Sequence, residues 1–186
     1  DNLSFNKNTL INLNYNNKSY ELSNFELKDN KLNFTLNHPN EKINPKDIFK
    51  IFQFSQSKNL DIHPSTLDII ISSKNLVGKI VNKDELLEIF TSILLSPNHS
   101  EKYLRLMSET GVLGKLFPDF QKITGLMQFN MYHHYTVDEH TLLAIGYLNK
   151  LEKGELIELA PIASSLIKKT QFRKIVFLAV FLHDIG

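Results

Sequence analysis

The eight residues from Ile175 to Leu182, Ile-Val-Phe-Leu-Ala-Val-Phe-Leu, carry no polar side chain, and His183 and Asp184 follow them at once. As a helix, such a run has no face to offer to water and demands burial on nearly every side. It is far shorter than the roughly 20 apolar residues that cross a bilayer. A chain that contains it must therefore build other elements around it. A carboxylate beside such a core costs several kcal/mol unless it is paired, hydrogen-bonded or bound to a cation. His183-Asp184 is thus either the polar end of a buried helix or part of a metal site.

The elements that could surround the run are helical for most of the chain. Residues 1–43 are the exception: they read in alternating bursts (Ile11, Leu13, Tyr15; Tyr20, Leu22; Phe25, Leu27; Leu32, Phe34, Leu36), the period of short strands. Asp29-Asn30 supplies turn residues between the last two, so a β-hairpin or meander is expected there. From Asn44-Pro45 the period becomes helical, with Ile48, Phe49, Ile51 and Phe52 on one side. Helix starts follow at His63-Pro64, at Asn82 with Glu85 in capping-box spacing, and near Ser96-Pro97. Gly111 reads as a helix stop, and Gly111, Gly114, Pro118 and Gly125 break the next stretch into short helices and turns. At Thr136 a second capping box, with Glu139, opens a helix that should run to about Leu151. Two more are expected near 161–168 and 171–183. The fold class is therefore mainly α with a short N-terminal β segment.

Composition narrows the chemistry. The chain has 186 residues with 21 basic and 20 acidic side chains and a formal charge of +1, so charge gives no reason to expect nucleic acid as a partner. There is no cysteine, which excludes disulfides and thiolate metal sites; any metal must be held by His, Asp or Glu. With neither a membrane span nor a signal segment in view, a cytoplasmic protein without a membrane partner is the expected setting.

His140 sits in the first turn of the helix opened at Thr136, with Ala144 and Tyr147 on its side, a partly apolar face that should turn inward. Two imidazoles and a carboxylate make a borderline-to-hard site, suited to Mg, Mn, Zn or Fe with water in the open positions. Taken singly, His140 reads as well as a core histidine. His38, His63 and His99 stand beside turn signals and read as structural or solvated. Lys168-Lys169 and Arg173-Lys174 read as a solvated basic face, with phosphate contact as the alternative.

Two segments, Val-Asp-Glu-His-Thr-Leu at 137–142 and Phe-Leu-Ala-Val-Phe-Leu-His-Asp-Ile-Gly at 177–186, resemble the HD superfamily of metal-dependent phosphohydrolases, whose domains are all-helical. The stretch from Ser96 to Leu142, with LRLM, TGVLG, Phe117-Pro118 followed by Phe120, and HHYTVDEHT in order, resembles the bifunctional PII uridylyltransferase/uridylyl-removing enzymes. The resemblance covers roughly residues 45–186. Residues 1–43 stay the short β segment that their pattern gives, while the resemblance implies 44–130 as a helical linker region following a nucleotidyltransferase core and 131–186 as the first part of an HD domain. It also implies His140, His183 and Asp184 as metal-holding catalytic residues, a fourth aspartate beyond Gly186, and His134 (with His133 beside it) as a second-layer or substrate-facing group.

Divalent metal, Mg or Mn before Zn or Fe, is the implied cofactor. The implied partners are the PII signalling protein, UTP and UMP, and glutamine. No Gly-Ser dipeptide of the nucleotidyltransferase motif occurs in the chain. The expectation is a fragment of a longer enzyme, inactive by itself. The alternatives are another HD phosphohydrolase, of cyclic-dinucleotide or (p)ppGpp type, and a non-catalytic helical interaction module. Convergence of His140, His183 and Asp184 on one point separates the metal readings from the module.

Overall fold

Asp29 and Asn30 both take positive φ, 51° and 59°, the backbone that two-residue hairpin turns require and that Asp and Asn tolerate. They close β3 (Phe25–Lys28) antiparallel on β4 (Lys31–Phe34), with Phe25 opposite Phe34 and their rings 5.1 Å apart. A second hairpin pairs β1 (Ile11–Tyr15) with β2 (Lys18–Leu22). The computed structural model describes residues 11–15, 18–22, 25–35, 43–127 and 135–185. The expected β segment is therefore two separate hairpins.

The β3–β4 hairpin docks on the helical body through its backbone. The Leu32 amide donates to the Asp61 carbonyl and the His63 amide to the Leu32 carbonyl, both at 2.8 Å. Beside them the Asn33 side-chain carbonyl accepts from the hydroxyls of Ser65 (3.0 Å) and Thr66 (2.8 Å). A two-stranded ribbon is marginal alone, and these bonds tie it to the start of the second helix.

The helices begin and end where local chemistry dictates. α1 (Pro45–Lys58) is capped by Asn44, whose side chain accepts from the Lys46 amide at 3.0 Å, and it stops at Asn59 in the left-handed conformation. His63 caps α2 (Pro64–Ser73), its Nδ1 accepting from the Ser65 amide, so this histidine is structural as expected. α3 (Asn75–Gly78) and α4 (Asp84–Leu94) follow. The N-cap of α4 is Lys83, one residue after the expected Asn82, whose side chain accepts from the Asp84 amide at 2.8 Å; Glu85 does not complete the box and pairs with Lys46 of α1 instead. α5 (Ser100–Glu109) ends before Gly111, which takes φ 76°. α6 (Val112–Leu116) and α7 (Pro118–Ile123) are the short helices that the glycines and proline forecast. α8 (Val137–Lys153) closes on Gly154 at φ 79°, and α9 (Pro161–Lys169) and α10 (Arg173–Leu182) complete the described chain.

The core lies between these helices. Ile48, Phe49, Ile51 and Phe52 are fully buried, α1 against α4 and α5. Tyr103 of α5 is buried too, and its hydroxyl donates to the Ser55 and Leu60 carbonyls at 2.9 and 3.0 Å, satisfying the end of α1. Burial pushes the Tyr103 hydroxyl up to about 12. α8 is the hub of the C-terminal half: α5, α9 and α10 all pack on it.

α10 corrects one expectation. Phe177 and Phe181 are fully buried, one turn apart, but Ile175 is 61% exposed and Leu182 46%. α9 likewise exposes Ile162 and Leu166. Composition showed that the helix lacks a polar face; whether anything covers each face depends on its neighbours. Among the described residues no helix is long and apolar enough to cross a membrane.

Candidate metal centre

His140 and His183-Asp184 meet where the start of α8 passes the end of α10. One donor atom from each residue lies within 4.8 Å of the others. The two imidazole centroids are 5.6 Å apart, with the rings inclined at 60°. His183 Nε2 stands 3.1 Å from Asp184 Oδ2. Cis donors on an octahedron with about 2.1 Å bonds stand about 3 Å apart, and trans donors about 4.2 Å. The doublet therefore has the spacing of neighbouring ligands, and the whole cluster is only slightly wider than one ion's shell.

The tautomer follows from a neighbour. His183 Nδ1 lies 2.6 Å from the Val180 carbonyl, which can only accept, so Nδ1 donates there and Nε2 is the nitrogen that faces the cluster. A lone pair and a carboxylate oxygen at 3.1 Å repel unless a proton or cation lies between them. The donor set therefore fits a divalent cation held by nitrogen and oxygen.

Burial differs from expectation. His140 is exposed on the Tyr147 side of α8, which faces outward, and the His183 and Asp184 side chains keep 40% and 31% of their exposure. The cost of burying Asp184 is thus no argument for a metal, and convergence of the three side chains takes its place. His133 and His134 lie outside the described residues.

The first turn of α8 is held differently from the expected capping box. Thr136 is the N-cap without a side-chain bond, and the Glu139 carboxylate turns away to Arg105 of α5. Arg105 reaches Glu101 as well, 3.0 Å away, and its hydrogen bond to Glu139 holds the guanidinium pKa above its ordinary value. Asp138, buried, accepts from the Gly125 amide at 3.1 Å, and the Val137 amide donates to the Leu126 carbonyl at 3.0 Å.

α10 is fixed at both ends. At its start Arg173 forms a two-bond fork with Glu152 of α8, at 2.5 and 2.8 Å, and lies 4.5 Å over the Phe177 ring. The expected solvated basic face thus loses Arg173 to a structural role. At its end, two residues before His183, Phe181 stacks on Phe120 (5.5 Å, 7°) and meets Phe90 and Phe117 at 5.0 and 5.4 Å. Sequence reasoning missed both Arg105 and this aromatic seat. The only local signal for Arg105 was its i,i+4 spacing from Glu101, which marks a helix-surface pair and says nothing of α8.

The helical body thus brings two histidines and an aspartate to one helix junction, at a spacing that a divalent cation would fit. Comparison with known proteins makes this specific. Residues 25–116 match the family described as Uridylyltransferase GlnD third domain. The chain is 43% identical over 146 residues to the bifunctional uridylyltransferase/uridylyl-removing enzyme of Azospirillum brasilense, covering 78% of this chain and 16% of that protein. The enzymes of the same name from Ruegeria pomeroyi and Erythrobacter litoralis are 41% and 43% identical over 141 and 143 residues, 75% and 76% of this chain and 16% of each. The chain belongs to this uridylyltransferase family, and it spans about one sixth of the length of these curated relatives. No solved structure matches it.

Proposed function

We propose that the chain is the portion of a bifunctional uridylyltransferase/uridylyl-removing enzyme that joins the helical third domain to a metal-dependent HD phosphodiesterase site. In this reading 44–130 is the connecting helical region and 131–186 the start of the HD domain. The observation that carries it is the convergence of His140, His183 and Asp184, within 4.8 Å, in a chain related by sequence to uridylyl-removing enzymes.

In the proposed reaction a tyrosyl-UMP diester on the PII protein is hydrolysed to tyrosine and UMP. A bound divalent ion, with Mg or Mn suiting the oxygen-rich remainder of such a site, would lower the pKa of a water and offset charge on the phosphoryl oxygens. This chain's residues do the holding. His183 turns Nδ1 to the Val180 carbonyl, which leaves Nε2 as the nitrogen facing the cluster. Asp184 supplies the negative charge that lets a cation replace solvent, and His140 adds a nitrogen donor from the opposite helix. The fourth ligand is an aspartate farther along the polypeptide. Uridylylation from UTP and the response to glutamine belong, in the same reading, to other parts of the enzyme. By itself the chain binds metal weakly and does not turn over.

The test is release of UMP from uridylylated PII by a chain extended about 100 residues past Gly186, a typical domain's worth, with and without Mn2+. Metal-dependent release that His140→Ala and His183→Ala each abolish supports the reading. A folded, extended chain that neither takes up metal nor releases UMP overturns it.

A further inference from the structure

We infer that Arg105 is a positioning residue for this metal cluster, setting from α5 where His140 stands relative to His183 and Asp184. The inference rests on the metal reading above and adds a residue outside the ligand set. α8 and α10 run antiparallel, and the Arg173–Glu152 fork clamps them at the end far from the cluster. At the cluster end His183 is placed by Phe181, seated between Phe90, Phe117 and Phe120 of the body. Among the described residues His140 has no such apolar anchor, and it is exposed on its helix.

Among the described residues, three bonds tether the first turn of α8. Two of them, Val137 to Leu126 and Asp138 to Gly125, run to the chain just before the helix. Only the third, from Arg105 to Glu139, reaches a separate helix of the body, and Glu139 immediately precedes His140. Arg105 is itself held on its other side by Glu101, so the guanidinium is a fixed post rather than a free side chain. Arg105 and Phe90 fall inside the segment that matches the third-domain family, and Glu139 and Phe181 fall outside it. Each half of the cluster is thus referenced to the third domain, His140 through a charge pair and His183 through aromatic packing.

The sign of one substitution separates positioning from electrostatics. Arg105 is a cation near a cation site, so if charge alone mattered, removing it would tighten metal binding. If it positions His140, removing it weakens binding, by the about tenfold or more that loss of an outer-shell partner costs. We would measure Mn2+ dissociation constants by electron paramagnetic resonance for the chain extended about 100 residues past Gly186 and for its Arg105→Met and Arg105→Lys variants, with thermal melting alongside. Weakening of about tenfold in Arg105→Met, with recovery to within about threefold in Arg105→Lys, is the expected result. Unchanged or tighter binding in a folded Arg105→Met variant overturns the positioning role alone, even if its melting temperature falls. Should Arg105→Met not fold, Arg105→Gln, which keeps a hydrogen-bond donor, carries the same comparison. Absence of Mn2+ binding by the cooperatively melting extended parent overturns the metal reading, and this inference with it.

Discussion

The imidazoles of His140 and His183 come from different helices, and their centroids stand 5.6 Å apart at the junction of α8 and α10. With Asp184 they form a donor set that neither helix has alone. His183→Ala and His140→Ala should therefore each reduce Mn2+ affinity by more than the about 10–100-fold typical of an outer-shell loss. Because both side chains are exposed, neither substitution should shift the melting temperature of the metal-free protein by more than a degree or two, corresponding to under about 0.5 kcal/mol. Equilibrium dialysis with Mn2+ and calorimetry check the two halves of this statement.

Phe181 should be costly to lose. It is fully buried against Phe90, Phe117 and Phe120, so Phe181→Ala removes a whole ring from a packed aromatic seat. Urea denaturation should show about 3–5 kcal/mol of destabilisation, and Phe181→Leu distinctly less. A loss under 1 kcal/mol would mean that α10 is not held through this ring.

Gly146 gives a prediction whose sign depends on a second residue. A Cβ added there would lie 2.0 Å from Glu101 Oε2 and 2.9 Å from its Cδ, on the facing helix α5. Alanine would push the Glu101 carboxylate off Arg105, and that loss offsets the helix propensity gained, so Gly146→Ala should be neutral or destabilising in the parent chain. In a Glu101→Ala background only the 3.4 Å approach to Cβ remains. There the same change should stabilise by about 0.5–1 kcal/mol. Additive effects in a double-mutant cycle would contradict the geometry.

Tyr103 makes stability depend on alkaline pH. Its hydroxyl is buried and pushed up to about 12 in the folded state, against about 10 in the unfolded chain. Below pH 10 both states hold the proton and the hydrogen-bonded hydroxyl contributes fully. Between about 10 and 12 the unfolded state ionises first, and stability falls by about 1.4 kcal/mol per pH unit from this group. At pH 8 Tyr103→Phe should lose about 1–3 kcal/mol by stranding the Leu60 carbonyl, since the Ser55 carbonyl keeps the Leu60 amide. The gap between variant and parent should narrow from pH 10 upward in urea titrations.

Much of the helical plan was legible because it is written locally. Asn44 before Pro45, His63 before Pro64, Gly111 and Gly154 act on backbone groups within a turn of themselves, and the helices begin and end there. The Asp29-Asn30 turn is local in the same way. Where local reasoning went astray, a distant partner competed for the same atoms. Glu85 went to Lys46 and Glu139 to Arg105 instead of back to their own helix starts, because a guanidinium or ammonium is a stronger partner for a carboxylate than a backbone amide.

The sequence by itself determined the ligand types, since a chain without cysteine has only imidazoles and carboxylates to offer, and it singled out His140, His183 and Asp184 through the motifs around them. It also determined that α10 has no polar side. Only the tertiary structure decided that the three side chains meet, that they do so at a half-exposed junction rather than in the core, and that Arg105 and Phe181 hold the two sides of it. The reason is physical. Capping and periodicity are short-range and recorded in neighbouring letters, whereas the meeting of α8 with α10 is set by how α5, α7 and α4 pack beneath them.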